Sequence, residues 1–332
     1  MSYKSDMEFL KRDQEKPRKI ALLLLKITVI ALAVMILITA VAAPVVWFLE
    51  NRDTGSSGDG DGEGGGSSSS GFRITGKNGS TVTVYLGDPI SYKQYVTVSG
   101  ASGDYELNVD RSQVKTDTAG SYKVIYTATD AKNKKASFTL TLIIKDGSAV
   151  YTQERLMNLI AAKVEELGIK ESDTKTQQVK KIYDFVNAFS WQASGSNTPS
   201  QQSSRDGWEN AWVEEAIRTL SKKAGDCFSY YSVSRAFFEY LEIENLSIKR
   251  ATDQDAAHGT HFWNVVKVES GWYYYDATRL KGTFTSDNTR NGCLMTENKM
   301  NSYRPSDASS TLQMYKFDKW EGFPTIATEP IS

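Results

Sequence analysis

The segment GDCFSY at residues 225–230 begins an apolar run that continues with helical spacing to Leu241. Gly225 permits a close approach of the preceding chain to this predicted helix, and Asp226 is a residue type that caps helix N-termini. Cys227 would then lie in the first helical turn, where unpaired backbone N–H groups and the positive end of the helix dipole favour an anion. We therefore expect the thiolate form of Cys227 to be stabilised, although an inert buried thiol is an alternative.

Two further segments supply the other groups that nucleophilic catalysis needs: HFWN at residues 261–264 and GWYYYDAT at residues 271–278. His261 begins one predicted strand and Asp276 ends the next, so antiparallel pairing would let Asp276 accept a hydrogen bond from one imidazole nitrogen. The other nitrogen would then face the thiol of Cys227. A nucleophile, a base and an orienting acid in this arrangement can carry out acyl transfer. Because the chain contains only two histidines, few accidental pairings are possible.

The hydrophobic pattern around these segments changes from helical to strand-like spacing. Helical spacing predicts four helices, within residues 156–167, 179–189, 208–220 and 228–241. The apolar runs that follow predict three strands, at residues 246–250, 261–268 and 272–277. Helices followed by strands indicate an α+β domain over residues 150–332.

With the three segments in this order, residues 150–332 resemble the bacterial transglutaminase-like domain, a relative of papain-like folds. The resemblance implies that Cys227 is the nucleophile, that His261 is the general base and acid, and that Asp276 orients His261. It implies neither a metal nor an organic cofactor. The reaction stays open, because the family includes cross-linking enzymes, peptidases, amidases and non-catalytic members.

Three details near the predicted triad leave alternatives open. The backbone N–H of Cys227 is the first candidate for an oxyanion donor. Trp191 is a second candidate, since some members of the family add an upstream aromatic residue; the alternative is a core tryptophan that packs the second helix. Tyr231 and Phe262 stand where many relatives have a small residue, which leaves the shape of the pocket open. Cys293, in a predicted buried strand, could form a disulfide with Cys227 that would abolish activity.

Residues 72–146 have a pattern of period two, with alternating apolar residues at 82–86 and 138–144 and turn residues between the runs. Short alternating strands over this length predict a small antiparallel β-sandwich. The segment resembles bacterial Ig-like domains of cell-surface proteins, in the stretches at 120–124 and 126–130 and in its threonine-rich last strand. It contains no histidine or cysteine, so we expect a spacer or adhesion module.

The N-terminal part predicts a membrane anchor at residues 21–48. Within it, residues 27–48 are 22 residues without a charge, enough for a helix to span a hydrocarbon core of about 30 Å. Basic residues precede this stretch and acidic residues follow it, so residues 1–20 should be cytoplasmic and the later domains extracellular. A cleaved signal peptide is the alternative. Residues 49–71 are a Gly/Ser/acidic linker, for which we expect a flexible tether.

The charge of the whole chain excludes one class of partner. With 39 basic and 40 acidic residues the formal net charge is −1, so we expect no nucleic-acid binding through phosphate neutralisation. Two cysteines also exclude a disulfide-rich scaffold. The expected partners are the membrane, through residues 21–48, and a surface protein or peptidoglycan peptide as substrate.

Together these observations predict a single-pass, membrane-anchored extracellular cysteine enzyme. Cys227 would attack a glutamine carboxamide or a peptide amide and form a thioester, which water or an amine would resolve. The predicted activity is that of a thiol protease, an amidase or another hydrolase, or of a protein-glutamine acyltransferase. Hydrolysis is slightly favoured by the abundance of water. The alternative is a non-catalytic cell-surface binding or assembly protein whose triad is unused.

Overall fold

The computed structural model describes residues 71–192, 208–251 and 260–331. The predicted cytoplasmic segment (1–20), the predicted membrane helix (21–48) and all but the last residue of the predicted linker (49–71) lie outside the described residues. Within the three described ranges, no helix combines the length and the apolar character that a membrane crossing needs.

Residues 72–146 fold as a small β-sandwich. Its strands are β1 (Arg73–Gly76), β2 (Thr81–Tyr85), β3 (Val96–Ser99), β4 (Tyr105–Asp110), β5 (Gly120–Asp130) and β6 (Lys135–Lys145), with a 3-10 helix at Tyr92–Tyr95. β1 and β3 form one antiparallel pair, and the other four strands form a sheet in the order β2-β6-β5-β4. Alternate residues of β5 and β6, such as Tyr126 and Leu142, are fully buried in the core of this module. The alternation in the sequence therefore gives each long strand one buried face.

The predicted antiparallel arrangement of this module is wrong at one edge. β2 runs parallel to β6, with Val84 opposite Ile144, whereas β4, β5 and β6 pair antiparallel. A parallel pair needs a crossover connection, and residues 86–134 provide one through β3, β4 and β5. Alternation along a strand does not report the direction of its neighbour, so the sequence pattern could not show this pairing.

Residues 150–331 form an α+β domain, as the sequence predicts. The helices that begin it are α1 (Gln153–Glu166), α2 (Lys175–Asn187), α3 (Trp208–Lys222) and α4 (Cys227–Tyr240). The strands that follow are β9 (Asn245–Lys249), β10 (Phe262–Val268) and β11 (Gly271–Tyr275). Smaller elements are the parallel pair β7 (Ser190–Trp191) and β8 (Ala224–Gly225), the antiparallel pair β12 (Thr283–Phe284) and β13 (Tyr303–Arg304), and helix α5 (Glu297–Asn301).

The first two helices begin and end at residues suited to those positions. The side chains of Thr152 and Thr174 cap the N-termini of α1 and α2 by accepting backbone N–H bonds. Gly168 follows α1 with a φ of +60°, a conformation that glycine adopts without steric cost. The helix therefore ends where the sequence predicts.

The three longer strands form an antiparallel sheet in the order β11-β10-β9. Phe262 and Val266 of β10 belong to the core that contains α4, whereas Trp263 and Val265 belong to a second core on the opposite face. Because both faces are covered, β10 is apolar along nearly its whole length instead of alternating. This sheet carries the histidine and the acid that the sequence singles out.

The buried strand predicted around Cys293 does not form. The chain bends at Cys293 and Leu294, and Leu294 has a φ of +48°. A left-handed residue interrupts extended pairing, so only Met295 makes an isolated bridge, to Tyr274 of β11. Cys293 is consequently half-buried in a turn.

An ion pair and a hydrogen bond join the β-sandwich to α1. Nε and Nη2 of Arg155 bind the carboxylate of Asp88 at 2.7 and 2.8 Å, and the third nitrogen of the guanidinium binds two backbone carbonyls. The hydroxyl of Ser91 donates to Glu165 at 2.7 Å. All of the described residues accordingly belong to one compact unit.

Candidate active site

Cys227 is the first residue of α4, and a capping box places it there. Oδ1 of Asp226 accepts hydrogen bonds from the N–H groups of Phe228 and Ser229 at 3.0 and 3.3 Å. In return, the N–H of Asp226 donates to the hydroxyl of Ser229 at 3.2 Å. The predicted position of the cysteine at a helix N-terminus is confirmed, and the predicted cap is confirmed with it.

The thiol of Cys227 is buried, with 8% of the residue exposed, and Sγ donates to the carbonyl of Thr260 at 3.4 Å. Burial is the main cause that raises the pKa of Cys227 well above its ordinary value, and the charges of Asp226 and Asp276 raise it further. The N–H of Phe262 lowers this pKa by a smaller amount. The expected stabilisation of the thiolate is therefore outweighed, and the resting site holds a neutral thiol.

His261 and Asp276 are hydrogen-bonded through Nε2 and Oδ2 at 2.9 Å. β10 and β11 pair with Asn264 opposite Tyr275, and continuing this register places Asp276 on the same face as His261, two positions away along the sheet. Thr260, whose carbonyl accepts the thiol of Cys227, directly precedes His261. The structure thus brings the three predicted residues to one end of the sheet.

Asp276 is 2% exposed and is held by groups that the sequence analysis missed. Tyr315 donates its hydroxyl to Oδ2 at 2.9 Å, and the N–H of Thr278 donates to Oδ1 at 2.9 Å. Burial alone would raise the pKa of Asp276, but the charge and hydrogen bond of His261, together with the bond from Thr278, lower it below its ordinary value. The carboxylate is therefore ionised.

The sequence contains a signal for one of these two missed contacts and none for the other. Thr278 follows Asp276 by two positions, the spacing at which an Asp side chain bonds a backbone N–H. That local signal was available in the segment GWYYYDAT. Tyr315 reaches Asp276 from 39 positions away, through a stretch that has no regular secondary structure. No local signal marks it.

Trp191 lies on β7, directly opposite Gly225 of β8, two residues before Cys227. Its side chain is 42% exposed, and its ring centroid is 6.3 Å from that of Tyr230 in α4. The alternative interpretation of Trp191 as a core tryptophan is therefore wrong. The residue borders the candidate site, and an oxyanion role for its indole N–H stays a prediction.

Tyr231 and Phe262 are the two large residues whose effect on the shape of the pocket the sequence does not decide. Both pack beneath the site. Both are at most 2% exposed, and both rings contact Phe228, with centroids at 5.7 and 4.9 Å. The hydroxyl of Tyr231 donates to Ser247 at 2.7 Å. These large side chains therefore fill the core between α4 and the sheet.

Both cysteines, Cys227 and Cys293, are free thiols. The disulfide that the sequence left open as an alternative is therefore not formed. Within residues 71–192, 208–251 and 260–331, no group of three or more His, Cys, Asp and Glu side chains is placed to hold a metal ion. The chemistry available to this arrangement is nucleophilic attack by sulfur with help from an imidazole.

Comparison with known proteins gives a distant structural match. No protein-family model matches the chain, and no curated protein matches it. Among solved structures, it matches a protein from Cytophaga hutchinsonii that is provisionally described as a cysteine protease, with 15% sequence identity and a TM-score of 0.28. The match covers 53% of this chain and 65% of that one, so it spans less than two thirds of that protein.

Proposed function

We propose that the chain is a cysteine enzyme that transfers acyl groups from amides. The proposal is carried by the 2.9 Å hydrogen bond between Nε2 of His261 and Oδ2 of Asp276, next to a free thiol at the start of α4. With Nε2 engaged by the carboxylate, Nδ1 is the ring nitrogen that remains for the proton of Cys227. A nucleophile, a base and an orienting acid then have the roles that acyl transfer requires.

In the proposed reaction, Cys227 gives its proton to Nδ1 of His261 while Sγ attacks the amide carbon. The S–C bond forms, the carbonyl π electrons move to oxygen, and the N–H of Cys227 stabilises the oxyanion, with Trp191 as a second donor. His261 then passes the proton to the amide nitrogen, the C–N bond breaks, and ammonia or an amine leaves. Water or an amine gives a proton to His261 and attacks the thioester carbon, so that a C–O or C–N bond forms. The C–S bond then breaks, and His261 returns the proton to Sγ of Cys227.

The family and the substrate class are parts of the same proposal. The segments around Cys227, His261 and Asp276 resemble the bacterial transglutaminase-like domain, related to papain-like folds. From this resemblance we infer a glutamine carboxamide or a peptide amide as substrate, in a surface protein or a peptidoglycan peptide. Water is the favoured acceptor because it is the most abundant nucleophile, which makes the enzyme a thiol protease or amidase.

We also propose that residues 21–48 anchor the chain as a single-pass membrane helix, with residues 1–20 in the cytoplasm. The support is in the sequence: 22 uncharged residues follow a basic flank. Residues 49–71 would be an extracellular tether, and the β-sandwich of residues 72–146 would be an Ig-like spacer. Such a tether would restrict the substrates to molecules on the same cell surface.

Alkylation by iodoacetamide tests the nucleophile, with Cys293 of the same chain as the internal control. If His261 assists Cys227, we expect Cys227 to be alkylated faster than Cys293 at neutral pH, and His261→Gln and Asp276→Asn each to remove this advantage. Alkylation of Cys227 only above about pH 8.5, as for an unassisted thiol, with no effect of either substitution, would refute the proposed role of the triad.

The acceptor is identified by two products from one glutamine-containing peptide. Incorporation of a fluorescent primary amine into the peptide indicates a transferase, whereas release of ammonia without incorporation indicates a hydrolase. A Cys227→Ala variant must lose both products. Product formation by that variant at the parent rate contradicts the covalent mechanism.

The burial of the nucleophile favours one alternative, a surface binding or assembly protein with an unused triad. Cys227 is only 8% exposed and its pKa is raised by burial, as expected for a structural thiol. Complementation of a deletion strain separates the two functions. Full rescue by Cys227→Ala supports binding, and loss of rescue with normal protein levels supports catalysis.

A further inference from the structure

Residues 311–317, here called the C-terminal strap, lie beside the end of β9 without forming a helix or a strand. The carbonyl of Lys316 in the strap accepts a hydrogen bond from the N–H of Ala251 at 2.8 Å. The preceding residue, Arg250, donates its own N–H to the carbonyl of His261 at 2.9 Å. The strap is thereby fixed next to the histidine of the candidate site.

Tyr315 of the strap shares one oxygen of Asp276 with the histidine. Its hydroxyl donates to Oδ2 at 2.9 Å, and Nε2 of His261 binds the same oxygen at 2.9 Å. The other oxygen, Oδ1, accepts the N–H of Thr278. A carboxylate oxygen has two lone pairs, so Oδ2 can accept hydrogen bonds from the phenol and from the imidazole at the same time.

Four aromatic rings hold the ring of Tyr315 in place. Its centroid lies 5.8 Å from that of His261 and 5.4 Å from that of Trp263, both edge-on. Phe284 and Tyr303 contact it at 6.1 and 5.7 Å. Because the ring is fixed by this packing, a phenylalanine can occupy the same space, and the hydroxyl can be removed without removing the ring.

The hydroxyl of Tyr315 is a neutral donor to a charged acceptor. Burial raises the pKa of Tyr315 well above its usual value, and the charge of Asp276 raises it further. Burial opposes ionisation of the carboxyl group, but the interactions with His261 and the hydrogen bonds from Thr278 lower the pKa of Asp276 below its ordinary value. A hydrogen-bond donor on Oδ2 partly neutralises the negative charge of the carboxylate. The electrostatic attraction between Asp276 and a protonated imidazole is therefore weaker.

Within the part of the chain that the structure describes, the other titratable side chains that interact with Asp276 are neutral near pH 7. They come from four elements and are Tyr183 of α2, Cys227 of α4, Tyr275 of β11 and Tyr303 of β13. Burial is the first cause that raises the pKa of each of these groups. These four groups therefore do not change the charge balance between the carboxylate and the imidazole in this pH range. Arg250, which is 3% exposed and whose charge lowers the pKa of Cys227, keeps a constant positive charge over the same range.

We propose that Tyr315 is a positioning residue for the reaction: its hydroxyl fixes Oδ2 of Asp276 and takes up part of its charge, so that His261 binds a proton less tightly. The inference rests on the proposed function, in which His261 must be neutral to accept the thiol proton. Without the hydroxyl, the full charge of Oδ2 faces the imidazole, and less of the base is neutral at a given pH.

The test is the titration of His261, followed by NMR in the full-length protein with labelled histidine. The chain has two histidines, and the signal that disappears in a His261→Gln variant belongs to His261. In Tyr315→Phe we expect the titration midpoint of His261 to rise by about one pH unit, the size of one hydrogen bond to a charged group. An unchanged midpoint overturns the proposal.

Tyr303→Phe is the matched control, since Tyr303 belongs to the same aromatic cluster but its hydroxyl accepts the N–H of Gly282 at 3.0 Å. We expect this variant to leave the midpoint of His261 unchanged. An equal rise of the midpoint in both variants would mean that removal of any hydroxyl from the aromatic cluster raises it. The proposal would then fail.

A double-mutant cycle tests whether the hydroxyl acts through the carboxylate. In an Asp276→Asn background, Tyr315→Phe should add no further shift to the titration of His261, because the charge that the hydroxyl takes up is absent. A shift of the same size with and without the carboxylate overturns the proposed route.

Kinetics separate the role of Tyr315 from the proposed function itself. If the parent protein transfers acyl groups, Tyr315→Phe should move the acid limb of kcat/KM to higher pH by the same amount as the titration midpoint. A parent without activity overturns the proposed function, whereas the NMR midpoint still tests the coupling to Tyr315. An active parent with an unmoved acid limb and midpoint in the variant overturns the role of Tyr315 alone.

Discussion

At Cys227, the proposed nucleophile, the residue that caps the helix opposes the ionisation of its neighbour. Asp226 accepts two backbone N–H groups at the start of α4, but its negative charge adds to the burial that raises the pKa of Cys227. Burial and the nearby charge of Glu215 raise the pKa of Asp226 itself to about 6. Asp226 is therefore ionised at neutral pH and becomes neutral as the pH falls through that value.

Replacement of Asp226 by Asn should make Cys227 more acidic. Asn keeps a side-chain oxygen that can cap the helix, and it removes a negative charge beside the sulfur, so the pKa of Cys227 should fall. One pKa unit changes the thiolate fraction about tenfold. We expect iodoacetamide to alkylate Cys227 several-fold faster at neutral pH, and the difference to shrink below pH of about 6, where Asp226 of the parent is protonated.

Alkylation rates against pH, read from intact-protein mass, measure this effect. Asp307→Asn is the control, because Asp307 is an exposed turn residue that accepts the N–H of Ser309. Slower alkylation of Asp226→Asn, or equal acceleration in the control, would contradict the electrostatic interpretation.

At the scale of elements, a loop after β12 holds the end of β11. The N–H of Asp276 donates to the carbonyl of Gly292 at 2.9 Å, and the N–H of Gly292 donates to the hydroxyl of Tyr183 in α2 at 3.0 Å. A Cβ atom at Gly292 would lie 2.3 Å from the carbonyl oxygen of Asp276. The loop can approach the strand this closely only with glycine at this position.

Gly292→Ala should therefore displace Asp276 and impair its alignment with His261. We expect kcat to fall by up to about a hundredfold, with little change in KM, because misplacement of catalytic groups by about 1 Å has effects of this size. Gly168→Ala is the control: its φ of +60° makes alanine unfavourable there, but no atom lies within 4 Å of the added Cβ. An equal loss of kcat in both variants would show a general loss of stability instead.

Local patterns predict the elements well and their long-range contacts poorly. The spacing of apolar residues gives α1 to α4 and β9 to β11 to within a few residues, and the cap at Asp226 depends only on chain neighbours. The parallel direction of β2 and the approach of Tyr315 to Asp276 depend on residues far apart in the chain. A pattern with a period of two to four residues contains no information on such contacts.

At the scale of the whole molecule, the β-sandwich is fixed to α1 and is not a freely hinged neighbour. The pair between Arg155 and Asp88 is largely buried, with 12% and 15% of the two side chains exposed, and Ser91 bonds Glu165 nearby. A buried pair with this bidentate geometry resists separation because either partner alone would be an uncompensated charge.

Arg155→Met should weaken this junction and uncouple the two domains. Loss of one partner of a buried pair costs about 3 kcal/mol, so calorimetry should show a lower Tm and a split of the unfolding transition. Lys267→Met is the matched control, because its pair with Glu244 is exposed, at 46% and 63%, and such pairs contribute little. A single transition at the parent Tm in Arg155→Met would show that the contact does not couple the domains.

The distance in sequence between Asp276 and Tyr315 also sets an order in time. Translation proceeds from the N-terminus, so the sulfur, the imidazole and the carboxylate leave the ribosome before the phenol that completes their surroundings. A nascent or truncated chain that stops before residue 315 has all three reactive groups, but by the proposed role of Tyr315 less of its histidine is neutral at a given pH. The neutral fraction of the proposed base would therefore reach its full value only after the C-terminal strap has been made and has folded against Asp276.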